Sequence, residues 1–142
     1  MSWLPKKNVV VPIDFSDQSI AAVELALDLV ESASGVHVIH VLPHLLVAEP
    51  GVVWDTLNDD SRRNHATSAI KERLSDAMYA NVCIHVVIGD PGQETTDYAQ
   101  EIGADLIVLP SHGRTGLKRI LIGSVAERVV RLAHCPVLVI RS

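Results

Sequence analysis

The sequence predicts an α/β fold in which a parallel, five-stranded sheet carries helices on both faces. Short apolar stretches alternate with amphipathic stretches of helical length along the whole chain. Strands that alternate with helices indicate a parallel sheet with right-handed crossovers. The 142 residues, of which 48% are hydrophobic and 20% charged, fit one globular domain over residues 1–142 with a sizeable core.

The first strand and the first helix lie in the N-terminal third of the chain. Asn8 to Ile13 has the continuous apolar composition of a buried parallel strand. Ser16 is a good N-cap for the helix predicted over Ile20 to Val30, which is apolar almost all round. Gly35 is expected to end that helix.

Val36 to Leu42 predicts the second strand, and Leu57 to Ala80 predicts a long amphipathic helix. His37 and His40 fall on opposite faces of the strand, because side chains alternate, so structural or surface roles are expected for both. The irregular Pro43 to Trp54 segment leaves a lid, an interface and a packed loop open. The inner face of the long helix is expected to comprise Ala66, Ala69, Ile70, Leu74, Ala77 and Met78.

A third strand is predicted over Val82 to Ile88 and a fourth over Asp105 to Leu109. The turn signal at 89–92 separates the third strand from a short helix, Gln93 to Ile102, with Gly103 at its C-terminal end. Pro110 is expected to stop the fourth strand, because proline has no backbone donor for a ladder.

The last helix is predicted over Ser124 to Ala133 and the last strand over Val137 to Ile140. Three apolar side chains of this helix are expected to be buried: Val125, Val129 and Leu132.

A basic, glycine-bearing loop joins the fourth strand to the last helix. Exposed amides and the helix dipole at such a place suit an anion, above all phosphate. Ser124 with Glu127 also fits the capping box S-x-x-E, so a plain capped helix without ligand is an equally good interpretation of the spacing alone. The spacing is not that of a P-loop, and G-x-G-x-x-G is absent from the sequence. The loop's glycines and basic residues are Gly113, Arg114, Gly116, Lys118 and Arg119.

Asp14 directly follows the first strand, and the basic loop directly follows the fourth strand. In a parallel sheet, both strands end at the same edge. In open α/β sheets, ligands lie beyond the carboxyl ends of the strands at a topological switch point. If the two strands are neighbours, one crevice has a carboxylate on one side and phosphate-type donors on the other, which suits a nucleotide. A loop carboxylate favoured only by the dipole of the next helix is the alternative for Asp14.

Charge and composition exclude several classes of function. The net charge of −5 argues against nucleic acid as the main partner. Cys83 and Cys135 form neither a metal-ligand spacing nor a disulfide framework, which favours reduced thiols and a cytoplasmic location. Residues 1–12 do not fit a signal peptide, and no window has the roughly 18 apolar residues of a membrane span.

Three segments together resemble the universal stress protein (UspA) family. They read P-I-D-F-S, then S-H-G-R-T-G-L-K-R-I-L-I-G-S-V-A-E-R-V-V, and finally C-P-V-L-V-I-R. The resemblance implies the strand order 3-2-1-4-5, a three-layer sandwich of the Rossmann-like, flavodoxin-like type. It also implies a cytoplasmic stress-response role and a homodimer paired through Val137 to Ile140.

The ATP-binding branch of that family carries the motif Gly-x2-Gly-x9-Gly-Ser/Thr. Gly113, Gly123 and Ser124 match it, whereas Pro110 stands where the first glycine belongs, so an amide donor is lost there. The resemblance implies ATP or AMP as ligand, with or without Mg²⁺, and no catalytic residues or metal ligands are assigned. The site residues that it implies are Pro12, Asp14, Val41, Pro110, Ser111, His112, Gly113, Arg114, Gly123, Ser124 and Val125.

Other functions fit the sequence less well or compete with nucleotide binding. A dimeric interaction module that binds no nucleotide is the alternative, and Pro110 is the residue that favours it. His112 is a candidate base without an orienting partner nearby in sequence, so at most slow ATP hydrolysis is expected. A phosphorylated receiver domain would need a lysine after the fifth strand, and this sequence has none there. A flavodoxin would need an aromatic side chain in the site loops, and this sequence has no Trp or Tyr there.

Overall fold

The computed structural model describes residues 3–44, 58–111 and 122–141. The strands are β1 (Val9–Pro12), β2 (Val36–Leu42), β3 (Cys83–Ile88), β4 (Leu106–Pro110) and β5 (Val137–Ile140). The helices are α1 (Asp17–Leu29), α2 (Asp59–Arg73), α3 (Pro91–Glu101) and α4 (Ser124–Leu132). None of the helices within these ranges is long and apolar enough to cross a membrane.

The five strands form one parallel sheet in the order β3-β2-β1-β4-β5, as predicted. The chain therefore moves outward from β1 through β2 to β3, and then returns to the other side of β1 with β4 and β5. That reversal places a topological switch point between β1 and β4.

Alternate side chains of the strands pack into two cores, one on each face of the sheet. Val9, Val11 and Val108 pack with α1 and α2 on one face. Val10 and Ile107 pack on the other face with α3 and α4. The central strands β1 and β4 are buried on both faces, which explains their continuous apolar sequence.

Local sequence explains where α1, α2 and α3 begin. The side chains of Ser16, Asn58 and Asp90 each accept a hydrogen bond from the backbone N–H three residues later. Pro91 occupies the first turn of α3, where its missing N–H costs nothing, and Gly103 takes a positive φ of 67° just past the helix end.

Several predicted boundaries were wrong. Gly35 does not end α1, which stops at Leu29; it lies in a 3-10 turn at 33–35, where its backbone passes close to the carbonyl of Lys7. The long helix ends at Arg73, and a separate 3-10 turn at 77–79 follows, with Met78 half exposed. Ala69 is exposed too, so the inner face of α2 is narrower than predicted.

The burial predicted for α4 was wrong in part. Val129 is fully buried, together with Ala126, whereas Val125, Val130 and Leu132 are between 37% and 49% exposed. A pattern of apolar residues alone did not distinguish the side facing the sheet from the flanks of a short helix.

Pro110 does not stop β4 but is its last residue, opposite Ile140 of β5. Ladder partners alternate from one side of a strand to the other, and the amides of Ile107 and Ser111 both donate to the β5 side. Position 110 therefore faces β1, and the missing N–H of its proline does not weaken the pairing with β5.

Candidate functional site

A gap between β1 and β4 marks the switch point at the carboxyl edge of the sheet. Among the described residues, these two strands pair only at Val9 with Leu106 and at Val10 with Ile107. Each strand keeps its outer neighbour to the end: Ile13 donates to the Ile39 carbonyl at 2.8 Å. The gap is therefore a break in the hydrogen-bond ladder at the carboxyl ends of β1 and β4, the edge where ligands of such sheets bind.

Asp14 lies on the β1 side of this gap, in the loop that leads into α1. Its backbone N–H donates to Ser19 Oγ at 3.3 Å, and its Oδ1 accepts from the Ser16 amide at 3.0 Å. The half-buried carboxylate is thereby held in one orientation at the strand end. A rotation-restricted acceptor of this kind is suited to hydroxyl or amino donors of a ligand.

Phe15 and His40 fix the turn that carries Asp14. Phe15 has a positive φ of 66°, which is uncommon for a bulky residue, and its ring meets that of His40 edge to face at 4.9 Å. His40 Nδ1 lies 2.8 Å from the Ile13 carbonyl oxygen, so the imidazole fits the tautomer that donates there. Sequence analysis assigned no role to Phe15, because a positive φ at a bulky residue leaves no signal in the sequence.

The β4 side of the gap leads to the N-terminus of α4. The Ser111 amide donates to the Ile140 carbonyl at 2.7 Å, and the Ser111 carbonyl accepts from the Gly123 amide at 2.5 Å. Ser111 is 3% exposed, so this link is part of the buried frame. The start of α4 is thereby attached to the end of β4, next to the switch point.

The first turn of α4 is open to an anion. Gly123 is the N-cap and offers no side chain to the orphan amides of the helix, and Ser124 is the first helical residue. The predicted capping box of Ser124 and Glu127 is wrong, because Ser124 lies one position too late and Glu127 pairs with Arg131 instead, at 2.7 Å. An N-terminus without a side-chain cap keeps its amide donors for a ligand or for water.

The predicted site residues divide into four groups. Pro12, Asp14, Pro110 and Ser111 lie at the two strand ends beside the gap, and Gly123, Ser124 and Val125 form the start of α4. Val41 lies near the end of β2, the next strand, half buried on the face that carries α3 and α4. His112, Gly113 and Arg114 lie outside the described residues.

His37 takes part in a separate cluster near the other end of β2. Its Nε2 lies 3.2 Å from Asn8 Oδ1 and its Nδ1 3.3 Å from the Tyr98 hydroxyl, while His85 stacks on the Tyr98 ring at 4.3 Å. Burial lowers the pKa of His37 and raises that of Tyr98. Within the described ranges, no group of three His, Cys, Asp or Glu side chains could hold a metal ion.

An ion pair unites α3 with α4 beside the candidate site. Arg128 Nε lies 2.9 Å from Asp90 Oδ2, and a Cβ at Gly92 would come within 2.8 Å of the Arg128 side chain. Asp90 also caps α3. Arg128 therefore positions α4, a role that is visible only where the two helices approach each other in the structure.

Comparison with known proteins supports the resemblance of the sequence over nearly its whole length. The model of the universal stress protein family matches residues 6–141. Universal stress protein MJ0531 of Methanocaldococcus jannaschii is 36% identical over 141 residues, which cover 95% of this chain and 82% of that protein. Universal stress protein YxiE of Bacillus subtilis is 30% identical over an alignment of 152 residues, which covers 94% of this chain and 98% of that protein.

Solved structures show the same fold. Universal stress protein UspA of Lactobacillus plantarum superimposes with a TM-score of 0.74 at 29% identity, covering 95% of this chain and 97% of that one. Two more distant structures contain nucleotides: a universal stress protein in complex with cAMP, at TM-score 0.70 and 23% identity, and a family protein of Arabidopsis thaliana with AMP bound, at 0.61 and 19%. They cover 96% and 95% of this chain, and 97% and 91% of their own. With its fold, its motif segments and its relatives in agreement, the chain belongs to the universal stress protein family.

Proposed function

We propose that this protein binds an adenine nucleotide, ATP or AMP, at the carboxyl ends of β1 and β4, and that it acts as a cytoplasmic stress-response switch. The observation that carries the proposal is the gap at the switch point, with a fixed carboxylate on one side and an uncapped helix N-terminus on the other. One crevice with acceptors and donors at opposite sides matches a ligand with a sugar at one end and phosphate at the other.

The phosphate end is assigned to the start of α4. Gly123, Ser124 and Val125 supply backbone amides of the first turn, and the dipole of the helix favours negative charge there. His112, Gly113 and Arg114 of the preceding loop belong to the same proposal on the strength of the sequence motif alone. Mg²⁺, if it accompanies the nucleotide, is expected on the phosphates rather than in a cage of protein ligands.

The adenosine end is assigned to β1 and β2. Asp14 accepts from the ribose or from the adenine edge, Pro12 lines the gap, and Val41 offers backbone groups to the base. Pro110 contributes no amide, so contacts on the β4 side depend on Ser111 and on the residues after it. Two distant structures of this fold hold cAMP and AMP, and both ligands carry adenine, the base proposed here.

A binding titration tests the proposal directly. A fluorescent ATP analogue should bind saturably, and unlabelled ATP and AMP should displace it. Asp14→Asn should weaken binding about 10- to 100-fold, since a charge-assisted hydrogen bond to a sugar hydroxyl is worth about 1.5–3 kcal/mol. Asp28→Asn on α1 is the matched control and should bind like the unaltered protein. No saturable binding up to millimolar ligand by a folded sample would refute nucleotide binding.

A dimeric interaction module without nucleotide is the second candidate. Two observations favour the dimer: β5 is an edge strand with all four residues half exposed, and α4 beside it exposes Val130 and Leu132. An apolar edge strand invites pairing with a second chain. We therefore propose a homodimer through Val137–Ile140, which is compatible with either function.

A further inference from the structure

At the carboxyl edge of the sheet, β2 runs further than its neighbour β1. The last pair of their ladder is Pro12 with Ile39, and Ile13 adds one more bond by donating to the Ile39 carbonyl at 2.8 Å. Peptide groups alternate between the two sides of a strand, so those of Val41 face the same side as those of Ile39. Leu42 faces the other side, since its carbonyl accepts at 2.9 Å from the first residue after β3. The N–H and the C=O of Val41 therefore point past the end of β1.

The side chain of His40 takes the group that would otherwise continue this ladder. In the same register, the Val41 N–H would donate to the Ile13 carbonyl, and the Val41 C=O would accept from the Phe15 amide. The Ile13 carbonyl oxygen instead lies 2.8 Å from His40 Nδ1, and Phe15 has already turned towards α1 with its φ of 66°. In the part of the chain that the structure describes, no backbone hydrogen bond joins Val41 to Ile13 or to Phe15.

A free donor beside a free acceptor on one backbone edge has a definite chemical complement. Val41 is half buried, so its N–H and C=O gain from a partner that supplies both hydrogen bonds at once. Adenine has the acceptor N1 next to the donor 6-amino group on one edge. Hypoxanthine has an N–H donor and a carbonyl oxygen in the same two places, so donor would meet donor and acceptor would meet acceptor. The end of β2 is thus suited to distinguish a 6-aminopurine from a 6-oxopurine.

We propose that His40 is a positioning residue for base recognition: by holding the Ile13 carbonyl, it keeps the N–H and the C=O of Val41 free to pair with a 6-aminopurine. The inference rests on the proposed function and adds what selects adenine over hypoxanthine. The His40 ring packs against Phe15 on the α1 side of the sheet, whereas the Val41 side chain lies on the opposite face. His40 therefore acts through the backbone of Val41 and not by contact with the ligand.

Calorimetric titration of the purified full chain with ATP and with inosine triphosphate (ITP) tests the inference. The two ligands share ribose and phosphates, so a disturbed Asp14 turn would weaken both alike, and the ratio of their affinities reports the base edge alone. The unaltered protein should prefer ATP by about tenfold or more, because ITP leaves both groups of Val41 unpaired. His40→Leu should reduce that preference several-fold, since the Ile13 carbonyl becomes free to accept from the Val41 N–H.

Two further variants separate the hydrogen bond of His40 from the size of its side chain. His40→Asn carries an N–H donor at the place of Nδ1 and should keep the preference for ATP, whereas His40→Gln carries its donor one bond further out and should behave like His40→Leu. Amide hydrogen exchange gives a second readout. Without ligand, the Val41 amide should exchange faster than the Ile13 amide, which is bonded to Ile39, and it should become slower when ATP is bound.

The outcomes separate the inference from the proposed function. Equal affinities for ATP and ITP in the unaltered protein would overturn base recognition by Val41, and the role of His40 with it, while leaving nucleotide binding intact. An unchanged preference for ATP in a folded His40→Leu variant would overturn the role of His40 alone. If that variant does not fold, His40→Asn and His40→Gln decide, and equal preferences in these two would overturn the same role. Binding of neither nucleotide would overturn the proposed function itself, and the inference with it.

Discussion

At the residue scale, Ser124 offers the sharpest test of the phosphate end. Ser124→Asp places a negative charge at the first position of α4, where the helix dipole favours it, so the free energy of unfolding should stay the same or rise by about 0.5 kcal/mol. The same charge occupies the place proposed for phosphate and should weaken ATP binding tenfold or more. Thermal denaturation and ATP titration measure the two effects. Ser124→Ala should alter both only slightly, and tight ATP binding by Ser124→Asp would exclude phosphate from this helix start.

Sequence reasoning at the residue scale predicted a candidate site but missed what fixes its geometry. Asp14, Gly123 and Ser124 carry recognisable chemistry at recognisable places, and the structure brings their elements to one edge of the sheet. Phe15 and Arg128 escaped notice, because a positive φ and an ion pair between distant helices leave no local pattern.

At the scale of elements, strand positions were predictable and helix ends were not. Val36–Leu42 and Val137–Ile140 coincide with their predicted bounds, since Gly35, Pro43 and Pro136 mark their limits in the sequence. Gly35 was misassigned as a helix end because a tertiary contact, not a helix terminus, requires glycine at this position. Its backbone passes so close to the Lys7 carbonyl that a Cβ there would lie 2.1 Å from that oxygen.

Gly35→Ala should therefore destabilise the junction of the N-terminal segment with the start of β2. The added Cβ collides with backbone that cannot rotate away, so we expect a loss of about 2–4 kcal/mol in the free energy of unfolding. Urea denaturation measures it. Gly103→Ala is the matched glycine control: at φ 67° with open space around it, it should cost about 1 kcal/mol. Equal losses in both variants would show that the close approach at Gly35 carries no strain.

At the scale of the whole molecule, the homodimer is the first prediction. Pairing through β5 would continue the sheet across two chains and cover the half-exposed strand. Val139→Lys, at the centre of this strand, is expected to destabilise the folded monomer itself, because Val139 also packs against the core. Val130→Lys on exposed α4 is the safer probe and should shift a dimer to monomer in light scattering, whereas Lys71→Glu on α2 should not. A monomeric unaltered protein would refute the dimer.

The stability of the whole fold should also depend on pH through His37, which links β2 to Asn8 at the start of β1 and to Tyr98 on α3. Burial lowers the pKa of His37, so near pH 6.5 the unfolded chain binds more protons than the folded one. The stabilisation is therefore complete above the unfolded pKa of about 6.5 and is lost as the pH falls through the lower, folded value. In the neutral tautomer that donates from Nε2 to Asn8 Oδ1, Nδ1 is the acceptor facing the Tyr98 hydroxyl, and protonation turns it into a donor.

Melting temperatures between pH 5 and pH 8 measure this dependence. The unaltered protein should melt at lower temperature as the pH falls below 6.5, and His37→Gln should remove part of that slope because the group no longer titrates. His65→Gln is the control, since His65 is exposed on α2. His85 and Cys83 flank the cluster and stay unchanged in both variants. Identical slopes for His37→Gln and the unaltered protein would mean that the buried imidazole does not couple protonation to folding, and that the packing of α3 on β2 tolerates its charge.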